Sequence, residues 1–196
     1  MLTFTLDTNC VIAIDEGRPE ATAIRALADA HSRGLANVAL VAISASERQR
    51  DGEPLESFAH FQERVAALGL SHLELLLPMG YWDVTFWDAC LWVEPEMLRL
   101  ETAIQDILFP NIPVSWPDYC REFGLDPESS IGDRKWKNAK CDVQAFWCHA
   151  HRHRDVFVTS DGNFHAASRR GKLVELSGGQ IELPASAAAL IPSHAP

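Results

Sequence analysis

Hydrophobic and polar positions alternate at the start of the chain, and the alternation stops at a carboxylate. Apolar residues alternate with threonines over 2–6, directly before Asp7, which predicts a β-strand that ends at this acid. The almost continuous apolar run over 37–43 is typical of a strand buried on both faces of a parallel sheet. Helical spacing over 19–34, ending at Gly34, lies between them. The order strand, helix, strand indicates a βαβ unit.

A second junction between a strand and an acid lies near the other end of the chain. The apolar residues over 155–159 predict a short strand that runs into Asp161. A helix is predicted before it, over 138–150, because its apolar residues share one face. After it the pattern predicts a further strand over 172–176 and a final helix over 184–190, which begins with proline.

The middle of the chain, over 48–137, has a different character. Prolines divide it into short units, and the spacing of apolar residues predicts helices over 55–70 and 94–108, with a short apolar piece over 73–77. Large aromatic residues usually bury area, so we expect most of its tryptophans to pack in a core or against a partner, with stacking on nucleic-acid bases as the alternative. These tryptophans are Trp82, Trp87, Trp92, Trp116 and Trp136.

The composition fits one domain of 196 residues with 47% hydrophobic residues. No apolar run is long enough to span a membrane, and the N-terminus lacks the pattern of a signal peptide. Five cysteines form an odd set without the pattern of a disulfide scaffold. We therefore expect a soluble, cytoplasmic protein that does not associate with membranes.

Charge is distributed unevenly along the chain. The net charge of −10 argues against a nucleic-acid binder. The segment 134–172, however, holds nine basic residues against three acidic ones. Such a segment can guide a polyanion to one face of an otherwise acidic protein, although solvated helix faces would produce the same composition.

Four acids are predicted to lie near one another. Chemistry in open parallel α/β sheets occurs at the carboxyl ends of the strands. Asp7 and Asp161 follow predicted strands, Glu47 follows the strand over 37–43, and Asp142 lies in the first turns of the helix before the last acid. Clustered carboxylates are the ligands that Mg²⁺ and Mn²⁺ require, and a pair of such ions can promote phosphodiester hydrolysis. Each acid taken singly is also an ordinary cap or turn residue.

Three segments of the chain together resemble the PIN domain family. The opening strand followed by Asp-Thr-Asn over 7–9 resembles the start of a PIN domain. Asp-Val-Gln-Ala over 142–145 is similar to the helix that carries the family's third acid, and 155–164 is similar to its strand, Thr-x-Asp and trailing Phe. The step of 19 residues from Asp142 to Asp161 also suits the family. The resemblance covers residues 1–47 and 138–192.

This resemblance implies a three-layer α/β/α fold with a central parallel sheet and a metal-dependent nuclease site. Most relatives cleave single-stranded RNA, so it predicts an endoribonuclease that binds one or two magnesium or manganese ions. The whole chain, 1–196, would form a single PIN-like domain, within which 48–137 would be a largely helical, tryptophan-rich insertion. The catalytic and metal-binding acids that the resemblance implies are Asp7, Glu47, Asp142 and Asp161.

Other residues receive supporting roles from their places in these motifs. Asn9, Thr159 and Ser160 would support the acids by hydrogen bonding. Cleavage by in-line attack of water would leave a 5′-phosphate and a 3′-hydroxyl. Basic residues just before the last two acidic motifs are candidate contacts to the RNA backbone; they are Lys135, Lys137, Lys140, Arg152 and Arg154.

The chain departs from the family pattern at two places. Asn163 stands where many members carry another Asp, which lowers the charge of the site and puts a second metal ion in doubt. Glu47 is the least secure of the four acids, because Glu53 and Glu56 are close enough in sequence to take its place.

Several alternatives to this hypothesis stay open. The main one is a catalytically inactive PIN-like module that binds RNA or a protein partner. A zinc site around 148–153 lacks the paired spacing of structural zinc ligands, and exposed histidines at a helix end explain the same pattern. An aspartyl phosphotransferase would usually carry a second Asp where this chain has Asn9. Many small relatives are toxins, which suggests an inhibitory, antitoxin-like partner, and the segment 48–137 suggests a homodimer interface.

Overall fold

The structure is a computed structural model, and it describes residues 1–46, 57–81, 84–128 and 133–192. Its strands form one all-parallel sheet with the order β3-β2-β1-β4-β5. The strands are β1 (Thr3–Leu6), β2 (Asn37–Val41), β3 (Glu74–Leu76), β4 (Val156–Val158) and β5 (Gln180–Glu182).

Helices connect these strands and cover the sheet. A 3₁₀ turn over Ala42–Ser46 follows β2, and another spans Trp87–Ala89. The α-helices of the described ranges are α1 (Thr8–Asp15), α2 (Ala21–Ser32), α3 (Phe58–Ala67), α4 (Pro95–Leu108), α5 (Trp116–Phe123), α6 (Arg134–His151), α7 (Gly162–His165), α8 (Ala167–Ser177) and α9 (Pro184–Ala188).

Both faces of the sheet are buried. Successive residues of a strand point to opposite faces, so each central strand contributes to two cores. Phe4 and Leu6 of β1 belong to a core with α1, α2 and α3, whereas Ala39 and Val41 of β2 belong to a core with α4, α6 and α8. The predicted fold class is therefore confirmed: the protein has three layers, α/β/α, around a parallel sheet.

Most of the predicted elements are present. The strands predicted over 2–6, 37–43 and 155–159 are found as β1, β2 and β4, and the helices predicted over 19–34 and 94–108 are found as α2 and α4. The short apolar piece in the middle of the chain is the edge strand β3, which pairs with β2. The middle segment is thus not separate from the sheet, because it contributes one strand to it.

The strand predicted over 172–176 is wrong, because these residues lie in α8. Leu173 is the buried residue of this helix. The alternation of apolar and polar residues over 172–176 therefore does not correspond to the two faces of a strand. Arg, Lys, Leu and Glu also favour helix. Gly178 ends α8 with a left-handed φ of 71°, a conformation that costs glycine little. Gly179 then passes close to the start of β4, and β5 follows.

Helix α6 begins earlier than the apolar pattern predicts. Asp133 caps it by accepting a hydrogen bond from the backbone N–H of Trp136, which adds a turn before residue 138. The indoles of Trp136 and Trp147 are buried on this helix, whereas Trp87 and Trp92 are exposed. None of the described helices has the length and apolar composition needed to cross a membrane.

Candidate active site

The carboxyl ends of β1 and β4 lie side by side at the centre of the sheet. β2 and β3 extend the sheet on one side, and β5 extends it on the other. In open α/β sheets, the crevice at such a switch in strand order is where ligands bind. Asp7 follows β1 and caps α1, and Asp161 follows β4 and caps α7. Two of the predicted acids therefore reach this crevice from neighbouring strands.

The carboxylate of Asp7 is buried and accepts three hydrogen bonds. Its Oδ1 accepts from the backbone N–H of Thr8 at 2.7 Å. Its Oδ2 accepts from Asn9 Nδ2 and from Thr159 Oγ1, both also at 2.7 Å. Asn9 and Thr159 were predicted to support the acids, and the structure brings both against Asp7.

A polar network joins the loops that follow β1 and β4. Asn9 Oδ1 accepts hydrogen bonds from the backbone N–H of Ser160 at 3.1 Å and from its hydroxyl at 3.2 Å. Thr159 Oγ1 accepts from Asn9 Nδ2 at 2.8 Å and from the backbone N–H of Asp161 at 3.0 Å. The position of one acid is thus coupled to the position of the other.

Burial raises the pKa of Asp7 to about 6. Hydrogen bonds from Thr159, Thr8 and Asn9 oppose this rise, because they stabilise the carboxylate, while the negative charge of Asp161 adds to it. Asp7 and Asp161 are therefore close enough for their charges to repel.

A cleft of about 410 Å³ contains three of the predicted acids. Asp142, half-buried on α6, faces the same space as the two acids from the strand ends. The described residues that line the cleft are Asp7, Thr8, Asn9, Arg18, Glu20, Asp142, Ser160 and Asp161. Elements from three parts of the chain thus converge on one acidic space.

Sequence reasoning missed two residues of this cleft, Arg18 and Glu20. Both lie in the short connection between α1 and α2, which returns over the strand ends. Arg18 donates from Nε to Glu16 Oε2 at 2.7 Å. The Oε2 of Glu20 is buried and accepts no hydrogen bond from any described residue. Nothing in the local pattern distinguishes this connection from an ordinary solvated turn.

The fourth predicted acid, Glu47, lies outside the described residues, as do Glu53 and Glu56. Within the described ranges, no three His, Cys, Asp or Glu side chains form a group that is compact enough to hold a metal ion without movement. The acids of the cleft line one space, and the charges of Asp7 and Asp161 repel each other, but these described acids are not arranged as a closed coordination shell.

The structure places the lysines that were predicted to contact RNA in different surroundings. Lys135 is exposed and lines a second pocket that adjoins the cleft. Lys137 is half-buried and lines neither space. Lys140 is only 1% exposed, and its Nζ pairs with Glu101 Oε1 at 2.8 Å. A phosphate cannot reach a buried, paired ammonium group, so the role predicted for Lys140 is incompatible with this structure.

Arg152 and Arg154 lie at the opposite edge of the sheet. Arg154 is buried and donates from Nη2 to the carbonyl oxygen of Phe4 and to Asn37 Oδ1, near the amino ends of β1 and β2. Arg152 is exposed and pairs with Glu74, the first residue of β3. Both were predicted to contact RNA beside the acids, and neither lies at that edge of the sheet.

Exposed histidines at the end of α6 were the alternative explanation to a zinc site. The structure shows that these histidines are not all exposed. His149 is fully buried, its Nδ1 lies 3.2 Å from Thr5 Oγ1, and burial lowers its pKa to about 3. The ring of His151 stacks on Trp147 with 4.3 Å between ring centroids. These contacts give both histidines packing roles.

Comparisons of this chain with protein-family models, with curated proteins and with solved structures find no match.

Proposed function

We propose that this protein is a PIN-like, divalent-metal-dependent endoribonuclease that hydrolyses single-stranded RNA. The observation that carries the proposal is the convergence of Asp7, Asp142 and Asp161 on one cleft at the carboxyl edge of the sheet. They come from the end of β1, from α6 and from the end of β4. Acids in this place and order support the family resemblance that the sequence motifs suggest.

The side chains of the cleft suit a hard divalent cation. Their donors are carboxylate oxygens, which Mg²⁺ and Mn²⁺ prefer. Asp161 raises the pKa of Asp7, and a bound cation would relieve this repulsion. Glu20 also has a buried oxygen to which no described residue donates a hydrogen bond, and an uncompensated buried oxygen favours a positive ligand. Asp7, Asp142, Asp161 and Glu20 are therefore the described residues that would hold the ion.

When bound, such an ion would lower the pKa of a water molecule and stabilise negative charge on a phosphate oxygen. The protein contributes orientation. Asn9 and Thr159 hold the Asp7 carboxylate in place, and the same residues bind the loop that carries Asp161. Preorganised acids spare the reaction the free-energy cost of bringing them together. In-line attack of water on the phosphorus would leave a 5′-phosphate and a 3′-hydroxyl.

The experiment that tests the proposal compares wild type with Asp7→Asn on labelled single-stranded RNA and on the DNA of the same sequence. Each reaction contains Mg²⁺, Mn²⁺ or EDTA. Asp106→Asn is the matched control, because Asp106 is exposed on α4 and lines neither pocket. We expect cleavage of RNA that requires the metal, is retained by the control and falls at least about a hundredfold in Asp7→Asn.

Two results would contradict the proposal in different ways. Binding of RNA by wild type without cleavage in any metal would favour the catalytically inactive module. Cleavage that persists undiminished in Asp7→Asn would place the chemistry elsewhere. An inhibitory antitoxin-like partner, a homodimer and a cytoplasmic location stay predictions of the sequence.

A further inference from the structure

A second pocket, of about 560 Å³, adjoins the acidic cleft. Asp142 lines both spaces, so they meet at this residue of α6. The far wall of the second pocket comes from the turn after α4, at Phe109 and Ile112, and its near wall comes from the first turns of α6. A volume of this size falls within the range of small-molecule sites, which is about 300–1,000 Å³.

The apolar wall of this pocket is held by buried hydrogen bonds. The backbone carbonyl of Gln105, a residue that is 1% exposed, accepts a hydrogen bond from the backbone N–H of Phe109. The side chain of Gln105 donates from Nε2 to the backbone carbonyl of Ile112. The N–H of Ile112 also donates to the carbonyl of Phe109 at 2.9 Å. The turn thus presents a half-buried aromatic ring and an aliphatic side chain on a preformed surface.

The rest of the pocket combines two cations and two amides with a small apolar side chain, a thiol and the acid shared with the cleft; these residues are Arg134, Lys135, Asn138, Asn163, Ala139, Cys141 and Asp142. The side-chain amides of Asn138 and Asn163 line it, and Arg169 Nη1 donates to Asn163 Oδ1 at 3.0 Å. Arg134 and Lys135 are exposed at its rim. An apolar wall, amide groups and cations are the features that recognise a base and its phosphate.

We propose that this pocket is a nucleoside subsite, which holds one unstacked base of single-stranded RNA beside the phosphate that is cleaved. The inference rests on the proposed nuclease function and adds a substrate-binding site to it. The base would pack against Phe109, the amides of Asn138 and Asn163 would contact its edge, and Lys135 would contact a flanking phosphate.

Charge supports this occupant. The cleft on one side of Asp142 is lined by acids, whereas the pocket on the other side has cations at its rim. A strand that crosses Asp142 would meet cations along its backbone before its phosphate reaches the acids. Because the bases of a duplex are stacked and paired, a base of a single strand enters the pocket at a lower free-energy cost than a base of a duplex. The proposed subsite therefore favours single strands.

The test measures binding separately from cleavage. Fluorescein-labelled single-stranded RNA is titrated with protein in EDTA, and anisotropy gives the Kd. A series of RNAs carries one abasic nucleotide at each position in turn. For wild type we expect one position at which base removal weakens binding by about 5- to 100-fold, the range of base–aromatic stacking.

Phe109→Ala should weaken binding of intact RNA to a similar extent and should abolish the sensitivity to that abasic position. Leu98→Ala is the matched control, since Leu98 is 42% exposed on α4 and lines neither pocket. Because Phe109 is half-buried, circular dichroism checks that the variant folds.

Lys135→Ala provides a second test at an exposed position. It should weaken binding to every RNA and lower the slope of log Kd against log salt by about 1. Arg99→Ala, an exposed change on α4, should leave the slope unchanged.

Three results would overturn the subsite: no binding of RNA by wild type in EDTA, no position sensitive to base removal, or equal sensitivity in Phe109→Ala and wild type. Cleavage in Mg²⁺ by wild type and by Asp7→Asn, measured in parallel, reports the nuclease function by itself. Metal-dependent cleavage without an effect of Phe109→Ala would reject the subsite alone, and base-sensitive binding without cleavage would reject the nuclease alone.

Discussion

Asp7 has surroundings with opposing effects on its charge. Hydrogen bonds from Thr159, Thr8 and Asn9 favour the carboxylate, whereas burial and the charge of Asp161 favour the neutral acid. Burial has the largest effect, so the pKa rises to about 6 from an ordinary value of 3.8. At neutral pH the group is ionised at a cost to the stability of the fold, which is common for residues retained for function.

The pH dependence of stability should reveal this cost. A carboxyl group with a raised pKa in the folded state stabilises the fold below its unfolded pKa, and that contribution is lost as the pH rises through the folded pKa. Asp7→Asn lacks this titration. Relative to wild type, its free energy of unfolding should therefore rise by about 3 kcal/mol as the pH increases from below 3.8 to above 6.

Urea unfolding in metal-free buffer at several pH values measures this difference. Asp106→Asn is the control, and its difference from wild type should stay nearly constant. A constant difference between Asp7→Asn and wild type over the same pH range would contradict the environment described for Asp7.

At the scale of elements, a buried polar group fixes α6 against α4. Glu101 Oε1 accepts hydrogen bonds from Lys140 Nζ at 2.8 Å and from Gln144 Nε2 at 2.9 Å, and its Oε2 accepts from the hydroxyl of Tyr81. Lys140 and Gln144 are one helical turn apart, so together they fix the rotation of α6. Because Asp142 lies on the same helix, the group also determines how this acid faces the cleft.

Lys140→Ala should destabilise the fold by about 3–5 kcal/mol, because it leaves the Glu101 carboxylate buried and unpaired. Chemical unfolding measures this loss. The double variant Glu101→Leu with Lys140→Met should be less destabilised than the sum of its single variants, since it removes both charges.

RNA binding by the same proteins separates packing from phosphate contact. The salt dependence of binding should be unchanged in the double variant, in contrast to Lys135→Ala. A reduced slope of log Kd against log salt in the double variant would support the contact with the RNA backbone that the sequence predicts for Lys140.

At the scale of the whole molecule, a group of acidic side chains and a pair of cationic side chains line two adjoining spaces. The net charge is −10, yet the acids of the cleft and the cations of the nucleoside subsite adjoin at Asp142. The cleft alone holds four acids and Arg18 among its described lining residues. Binding of a cation there should stabilise the whole fold, because a ligand specific to the native state shifts the unfolding equilibrium.

Added Mg²⁺ or Mn²⁺ should therefore raise the melting temperature of wild type, and EDTA should reverse the change. At a hundred times the Kd of the ion, the expected gain is about 2.7 kcal/mol. The gain should be smaller in Asp7→Asn and in Glu20→Gln and should be unchanged in Asp106→Asn. An equal gain in wild type and Asp7→Asn, measured by differential scanning calorimetry, would exclude Asp7 as a ligand.

Local patterns were sufficient for the central elements of the fold and for two acids of the site. Strands β1 and β4 can be recognised in the sequence because each is a short segment with regularly placed apolar residues. Asp7 directly follows β1, and the Thr-x-Asp motif directly follows β4. The pattern over 172–176 misled because a buried Leu173 among helix-favouring residues resembles the alternation of a strand. The pattern of a short segment does not show how many of its faces are buried in the folded protein.

The sequence by itself determined the central strands, the helix between the first two of them and the placement of Asp7 and Asp161 at strand ends, because these depend on hydrophobic periodicity and on residues adjacent in the chain. The three-layer arrangement was implied by the resemblance of the motifs to the PIN domain family. Tertiary structure decided the rest. It buried Lys140 against Glu101, 39 residues away. It placed Arg154 near the amino ends of the strands and Glu20 in the cleft. It also formed a pocket between Phe109 and α6. Burial and pairing depend on contacts between distant residues, which no local pattern encodes.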